Sequence, residues 1–263
     1  KILGIRREDK NKWERRVPLI PKDLKRLKDV YGIDAIVQPS QIRIYPDDVF
    51  RENGAIVEED LSAADTIFAV KEIPVDLLDA GKTYIFFSHT IKGQTYNMGL
   101  LKRLMELKCN LIDYERIVNE KNQRLIFFST HAGYAGIIET LFAFGQKMKL
   151  KGIDSPLAQI KQAYEYTSLE KAKEHIKQIA HQISEKGLAK ELCPLIVGFA
   201  GDGNVSKGAQ EIMDLLPIIE ISPDQLDGVR RQDNVERNQI YKVVFKEQDM
   251  VTPLSGDFEL QDY

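Results

Sequence analysis

Three basic residues follow two apolar runs early in the chain. Residues 66–70 (TIFAV) lead into Lys71, and residues 84–88 (YIFFS) lead into His89, with Lys92 just beyond. Apolar runs of this length read as buried parallel strands, and open α/β sheets bind ligands at the carboxyl ends of their strands. A lysine and a histidine placed there are candidate acid–base groups, because burial and neighbouring charges tune such side chains toward neutral pH. Taken singly, Lys71 reads as a solvent-seeking lysine and His89 as a satisfied loop histidine. Taken together on neighbouring strand ends, they favour a reactive pair.

A second constellation lies in residues 194–209 (PLIVGFAGDGNVSKGA). An apolar strand enters a glycine-rich turn, and a helix expected over 209–215 leaves it. Gly201 and Gly203 supply the G-x-G of a dinucleotide fingerprint, permitting the tight turn and close backbone approach to a pyrophosphate. Asn204 and Val205 continue the turn, and Ser206 stands where a third glycine is usual. Residues 217–221 read as the next strand, with Glu220 about 20 residues after Gly201, the spacing of a ribose-binding acid. Glu220 favours an unphosphorylated ribose if it faces the cofactor. If it lies one position inside the strand, Ser222 takes the end, and with Arg230 and Arg231 nearby would suit a 2′-phosphate. The plain alternative is a strand–helix turn with no ligand; the strand-turn-helix context favours a cofactor.

These groups need a scaffold, and the periodicities supply one. Strands are expected over 1–6, 34–38, 55–57 and 110–114 besides the two apolar runs, with helices over 21–31, 46–53 and 96–107 between them. This alternation predicts an α/β domain with a largely parallel sheet, closed by a last local strand over 125–129. A long helix over 136–150 then opens a second α/β domain, so the chain divides into residues 1–135 and 136–263. Residues 167–170 (TSLE) fit a capping box for a helix whose apolar stripe runs from Leu169 to Ile183 and which Gly187 ends. His175 and His181 fall off that stripe and are expected at the surface. After residues 239–245 no further strand is clear, so the second domain is expected to be incomplete.

Composition narrows the partners. The chain of 263 residues is 43% hydrophobic and 29% charged, enough for a sizeable core. A net charge of −3 argues against nucleic acid or an anionic membrane as the main partner. No run reaches transmembrane length. Cys109 and Cys193 read as reduced core residues without metal spacing, so no metal is expected and the setting is expected to be intracellular, cytoplasm or mitochondrial matrix.

Five segments occur together in a telling order: residues 13–16 (WERR), 70–74 (VKEIP), 86–92 (FFSHTIK), 113–115 (DYE) and 201–209 (GDGNVSKGA). In them the chain resembles, over nearly its whole length, the lysine–2-oxoglutarate reductase domain of the aminoadipate semialdehyde synthase family. That family lies within the alanine dehydrogenase, transhydrogenase and saccharopine dehydrogenase superfamily. The resemblance implies two Rossmann-like domains, the first for substrate and catalysis and the second for a nucleotide. It implies NADPH as cofactor, with NADH less suited, and lysine and 2-oxoglutarate as substrates condensed and reduced to saccharopine. A saccharopine dehydrogenase domain, fused or separate, is the implied partner. On this resemblance Lys71 and His89 match the acid–base pair. Arg16, Lys92 and Arg124 match positions that bind substrate carboxylates, and Glu115 matches an acidic group beside the catalytic lysine. Two departures stand out: Asp202 replaces a threonine of the usual fingerprint, and residues 129–132 (STHA), with His131, replace a glycine-containing segment. The rival readings are an NAD-dependent saccharopine or alanine-type dehydrogenase, and a nucleotide-binding regulatory module without turnover.

Overall fold

The structure is a computed structural model that describes residues 1–232, 235–253, 256 and 258–260. Two compact units divide the chain, Lys1–Phe127 and Phe128–Tyr263. Both are α/β.

The first unit runs β1 (Ile2–Ile5), α1 (Pro21–Tyr31), β2 (Asp34–Val37), α2 (Asp47–Glu52), β3 (Ile56–Val57), β4 (Thr66–Phe68), β5 (Thr83–Phe86), α3 (Thr95–Glu106) and β6 (Asn110–Asp113). Its six strands are ordered β3-β2-β1-β4-β5-β6, and every pair is parallel. Side chains alternate between the faces, as strand geometry requires. Ala35 and Val37 join Leu3, Ile5, Leu24 and Phe50 on one face. Ile36 joins Ile67, Tyr84, Phe86, Leu100 and Leu104 on the other. Pro21 opens α1, where a missing N–H costs nothing, and Gly32 ends it at φ 63°, a conformation that glycine adopts without steric penalty. The chain reverses its winding between β1 and β4, so the loops leaving those two strands flank the topological switch point.

The second unit runs α4 (Ser129–Leu150), α5 (Leu169–Lys186), β7 (Ile196–Ala200), α6 (Asn204–Met213), β8 (Ile218–Ile221), α7 (Leu226–Arg230), β9 (Ile240–Phe245) and α8 (Glu247–Met250). Its three parallel strands are ordered β7-β9-β8. The last strand takes the centre because it is the most completely buried: Ile240, Tyr241, Lys242 and Val243 are all inside. Helices α4, α5 and α6 surround the main core, built on Ile138, Leu141, Ile176, Ile179, Ile183 and Ile212.

Several expectations need correction. Residues 125–129 do not form a strand: Val118 and Arg124 make an isolated antiparallel bridge, and α4 begins at Ser129. The Asn119 carboxamide oxygen accepts from the Lys121 and Gln123 amides at 3.0 and 2.9 Å, turning the chain back on itself. Leu125 and Phe127 are left exposed, and an apolar run without a buried face gains nothing from pairing. Helix α4 starts seven residues before the expected 136, since Gly133 lies inside it rather than ahead of it. The cap of α5 is Ser168, whose hydroxyl accepts from the Lys171 amide, not Thr167. His175 is half-buried: its Nδ1 meets the Tyr166 hydroxyl at 2.8 Å, and burial lowers its pKa. Both cysteines are free and half-buried, packed against the margins of the core clusters rather than at their centres. Among the described residues no helix is long and apolar enough to cross a membrane.

Candidate active site and nucleotide turn

In the first unit the polar residues gather where β1, β4 and β5 end. Strands β4 and β5 pair in parallel, so Lys71 and His89 leave the sheet on the same edge. The loop after β1 returns to this edge through Glu8. One carboxylate oxygen of Glu8 accepts from the Val70 amide at 2.6 Å and the other from the Lys71 amide at 3.0 Å. Glu8 is only 7% exposed, and burial pushes its pKa up although both amides oppose the shift. The backbone carrying Lys71 is thereby tied to the switch point.

His89 is fixed from several sides. Its Nδ1 lies 2.7 Å from Glu72 Oε1, and the other Glu72 oxygen takes the Lys10 ammonium at 2.7 Å. Burial alone would raise the Glu72 pKa, but Lys10, the residue's own backbone amide and His89 together outweigh it and hold the carboxyl below its ordinary value. An ionised carboxylate on Nδ1 favours the tautomer that carries its proton there. The Phe87 ring stacks on the imidazole, 6.2 Å between centroids. His89 itself sits at φ 52°. That left-handed conformation costs on the order of 1 kcal/mol for a residue with a side chain and is common at functional sites. Next to it the Ser88 hydroxyl donates to Asp113, whose second oxygen accepts the Glu115 amide at 2.8 Å.

The anion-binding candidates are placed differently from one another. Arg16 grips Glu14 through two bonds, Nε to Oε1 at 2.7 Å and Nη2 to Oε2 at 2.5 Å. Glu14 is buried, yet Arg16 and the charge of Lys71 hold its pKa down, so it stays ionised between them. Arg124 and Glu115 are brought together at 2.7 Å, leaving Glu115 Oε2 buried with no hydrogen-bond partner among the described residues. Lys92 is exposed on the turn before α3. Burial and the nearby Glu8 carboxylate push the Tyr114 phenol up, so it stays a neutral wall. The unexpected members are Glu8, Lys10, Glu14 and Glu72, which read as a charged loop and a strand-end neighbour. The strand order was the missing signal, since it turns the loop after β1 into a site wall.

In the second unit Gly201 takes φ 85° as β7 ends, and its amide donates to Phe245 O at 2.7 Å. Gly203 is the cap of α6, so Asn204, Val205 and Ser206 form its first turn with free amides facing outward. A cavity of about 730 Å³ adjoins this turn, lined by Gly133, Gly136, Thr140, Gly198, Gly203 and Ser206 among others. That size suits a dinucleotide portion. Glu220 and Ser222 are elsewhere: β8 is separated from β7 by β9. The Glu220 carboxylate is bound by Lys242 Nζ at 2.8 Å, and the Ser222 hydroxyl donates to Gln225 at 3.0 Å. Asp202 is exposed in the turn, and His131 is exposed on the first turns of α4. Among the described residues no group of three or more histidine, cysteine or acidic side chains could hold a metal.

A doubly wound sheet with a basic pair at its switch point, joined to a unit with a glycine-rich turn, defines a nucleotide-type α/β protein. Residues 4–135 match the alanine dehydrogenase/PNT N-terminal domain family, and the chain belongs to it. Across its whole length the chain is 37% identical to an alpha-aminoadipic semialdehyde synthase of Arabidopsis thaliana, of which it covers 26%. It is 36% identical to the mitochondrial alpha-aminoadipic semialdehyde synthase of Bos taurus, covering 28% of that protein. The chain thus spans about a quarter of the length of these curated relatives. Over 51% of its length it is 31% identical to a saccharopine dehydrogenase [NAD(+), L-lysine-forming] of Yarrowia lipolytica, covering 37% of it. Among solved structures, an L-alanine dehydrogenase matches 92% of this chain and 60% of its own, with TM-score 0.56 and 18% identity. A transhydrogenase from Sinorhizobium meliloti matches 88% and 62%, with TM-score 0.54 and 17% identity. At such identities these two likenesses show the fold, two Rossmann-like units with parallel sheets.

Proposed function

We propose that this chain carries a lysine–2-oxoglutarate reductase, an NADP-dependent oxidoreductase acting at a C–N bond in an intracellular setting. The neutral ε-amine of lysine attacks the keto carbon of 2-oxoglutarate. The carbinolamine loses its hydroxyl as water to give an iminium; a reduced nicotinamide, held by its dinucleotide at Gly201, Gly203, Asn204, Val205 and Ser206, would supply the hydride that turns this iminium into saccharopine. The observation that carries the reading is the Lys10–Glu72–His89 chain beside Lys71 at the ends of paired parallel strands. His89, oriented by Glu72, and Lys71 exchange the protons that amine addition and water loss require. Arg16, Lys92 and Arg124 receive the carboxylates of the two substrates, a role suited to guanidinium groups in particular. Glu115, with one oxygen left unbonded, meets an ammonium. The first unit is thus the substrate and catalytic domain, and the second, through Gly201, Gly203, Asn204, Val205 and Ser206, holds the dinucleotide. The names and identities of the semialdehyde synthase relatives support the same reading, including a saccharopine dehydrogenase domain as working partner.

The direct test follows NADPH oxidation with lysine and 2-oxoglutarate, omitting each in turn and running NADH in parallel. Oxidation that needs both substrates is the expected result. Oxidation with ammonia and pyruvate instead would transfer the site to an alanine-type dehydrogenase. No turnover despite bound dinucleotide would make the chain a nucleotide-binding regulatory module.

A further inference from the structure

The nucleotide turn leaves one feature of its ligand unassigned, the group on the adenosine ribose. In doubly wound domains the residue that reads this position stands at the carboxyl end of the strand beside the glycine-rich one. By sequence spacing that residue is Glu220, but two observations take it out of the role. Its strand is the far one of the three, roughly 10 Å from β7 at the usual strand spacing. Its carboxylate is also held by Lys242, a lysine only 4% exposed whose ammonium bridges Glu220 and Asp214 at 2.8 and 2.7 Å.

The strand that does adjoin the glycine-rich one is β9. Ala200 pairs with Phe245, and the Gly201 amide donates to Phe245 O. The next residue, Lys246, therefore leaves the sheet level with the first glycine of the turn. It is exposed. Its amide donates to Asp249 at 2.8 Å, which anchors its backbone at the strand end. Among the described residues its ammonium has no hydrogen-bond or ion-pair partner. Where a domain that binds a bare ribose presents an acid, this one presents an uncommitted cation. The natural acid is neutralised one strand further out.

We infer that Lys246 is the specificity-determining residue of the nucleotide turn and receives a ribose 2′-phosphate, so that the chain selects a phosphorylated dinucleotide. The inference rests on the dinucleotide reading proposed above. A lysine ammonium is a strong point-charge partner for a phosphate dianion, whereas a 2′-hydroxyl gains little from it. Asp202, exposed in the same turn, sharpens the need, because its carboxylate repels phosphate and a cation at the site offsets that repulsion.

Binding to the whole chain tests this without any turnover. NADPH and NADH are titrated by nicotinamide fluorescence, and 2′,5′-ADP and 5′-AMP compete for the same site. Lys246→Ala is expected to weaken NADPH and 2′,5′-ADP by about tenfold or more, the scale of one charge-assisted bond, with NADH and 5′-AMP within about twofold. Lys246→Arg should keep the preference, and Lys246→Glu should invert it. Equal weakening of both dinucleotides by Lys246→Ala, or no change in either, overturns the inference while leaving the dinucleotide reading intact. Tighter binding of NADH than NADPH by the unmodified chain also overturns it. If the unmodified chain binds neither, the dinucleotide reading falls and the inference with it.

Discussion

His89 and Lys71 differ in how they are held, and the difference gives separable predictions. Lys71 is set by its backbone, through the two amides on Glu8, while His89 is set through its ring by Glu72. Lys71→Met and His89→Gln are each expected to lower turnover roughly a hundredfold or more with folding intact, the usual contribution of a positioned acid or base. Steady-state rates with far-UV circular dichroism check this, and near-normal rates in both variants would remove the pair from the chemistry. Glu72→Gln keeps the shape but loses the charge that fixes the imidazole, so kcat should drop by about tenfold and the pH–rate profile should shift. A change in KM alone would make Glu72 a substrate contact instead. Glu8 supplies a pH effect of definite sign. Its folded-state pKa lies above the ordinary 4.5, because burial disfavours the anion. The folded protein therefore holds that proton more tightly than the unfolded chain does. This contribution is fully present below pH 4.5 and is lost as pH rises through the folded value. The stability of the protein relative to Glu8→Gln should accordingly fall over that interval in denaturant titrations. A flat difference would mean that the two amide bonds cancel the burial. Neither Glu8 nor Glu14 was legible from the sequence, because a charged loop gives no hint that some of its carboxylates are buried.

At the scale of elements, the second unit depends on a close helix crossing. A methyl group built on Gly133 of α4 would stand 2.0 Å from Val205 O of α6, and one on Gly208 of α6 would stand 2.2 Å from Thr130 O of α4. Each glycine thus admits the backbone of the opposite helix. Gly136, one turn along α4, has open space around it. Gly133→Ala should force the helices apart and cost about 3 kcal/mol or more, distorting the glycine-rich turn at the start of α6. Gly136→Ala should instead stabilise by up to about 1 kcal/mol through helix propensity. Thermal unfolding of the two variants decides, and equal effects would mean that the crossing is not close. These glycines also explain what the sequence left illegible. Read locally Gly133 looks like a breaker, which leaves the helix start at 136; only the partner helix gives it a purpose inside α4. The strands were easier. Residues 34–38, 84–88 and 239–245 announce themselves because burial on both faces makes a strand largely apolar, Lys242 in the last of them excepted. Their order was not readable, since hydrophobicity says that β9 is central only after β7 and β8 are known to flank it. The strand-end placement of Lys71 and His89 was readable, and the position of Glu220 was not, because the first depends on a strand's direction and the second on its neighbours.

For the molecule as a whole, the two units each have the parts of an independent domain. The clusters around Ile36, Ile5 and Val70 are built from residues before Phe128, and those around Ile138 and Val243 from residues after it. No described core cluster mixes the two. The first unit also closes its own sheet order, with α1, α2 and α3 covering both faces. Its length lies in the usual range for a domain that folds alone. The polar groups proposed to bind substrate, Arg16, Lys92, Glu115 and Arg124, all lie in that unit, as do the Arg16–Glu14 and Arg124–Glu115 pairs. Residues 1–127 expressed alone should therefore fold cooperatively. They should show an ordered near-ultraviolet spectrum and bind 2-oxoglutarate without any dinucleotide, with Arg16→Ala weakening that binding about tenfold, as loss of one charged partner does. Calorimetric titration of the fragment measures both properties. A fragment that stays molten would show that the first unit needs the second to fold. A folded fragment that ignores 2-oxoglutarate would show that the carboxylate pocket is not complete within residues 1–127.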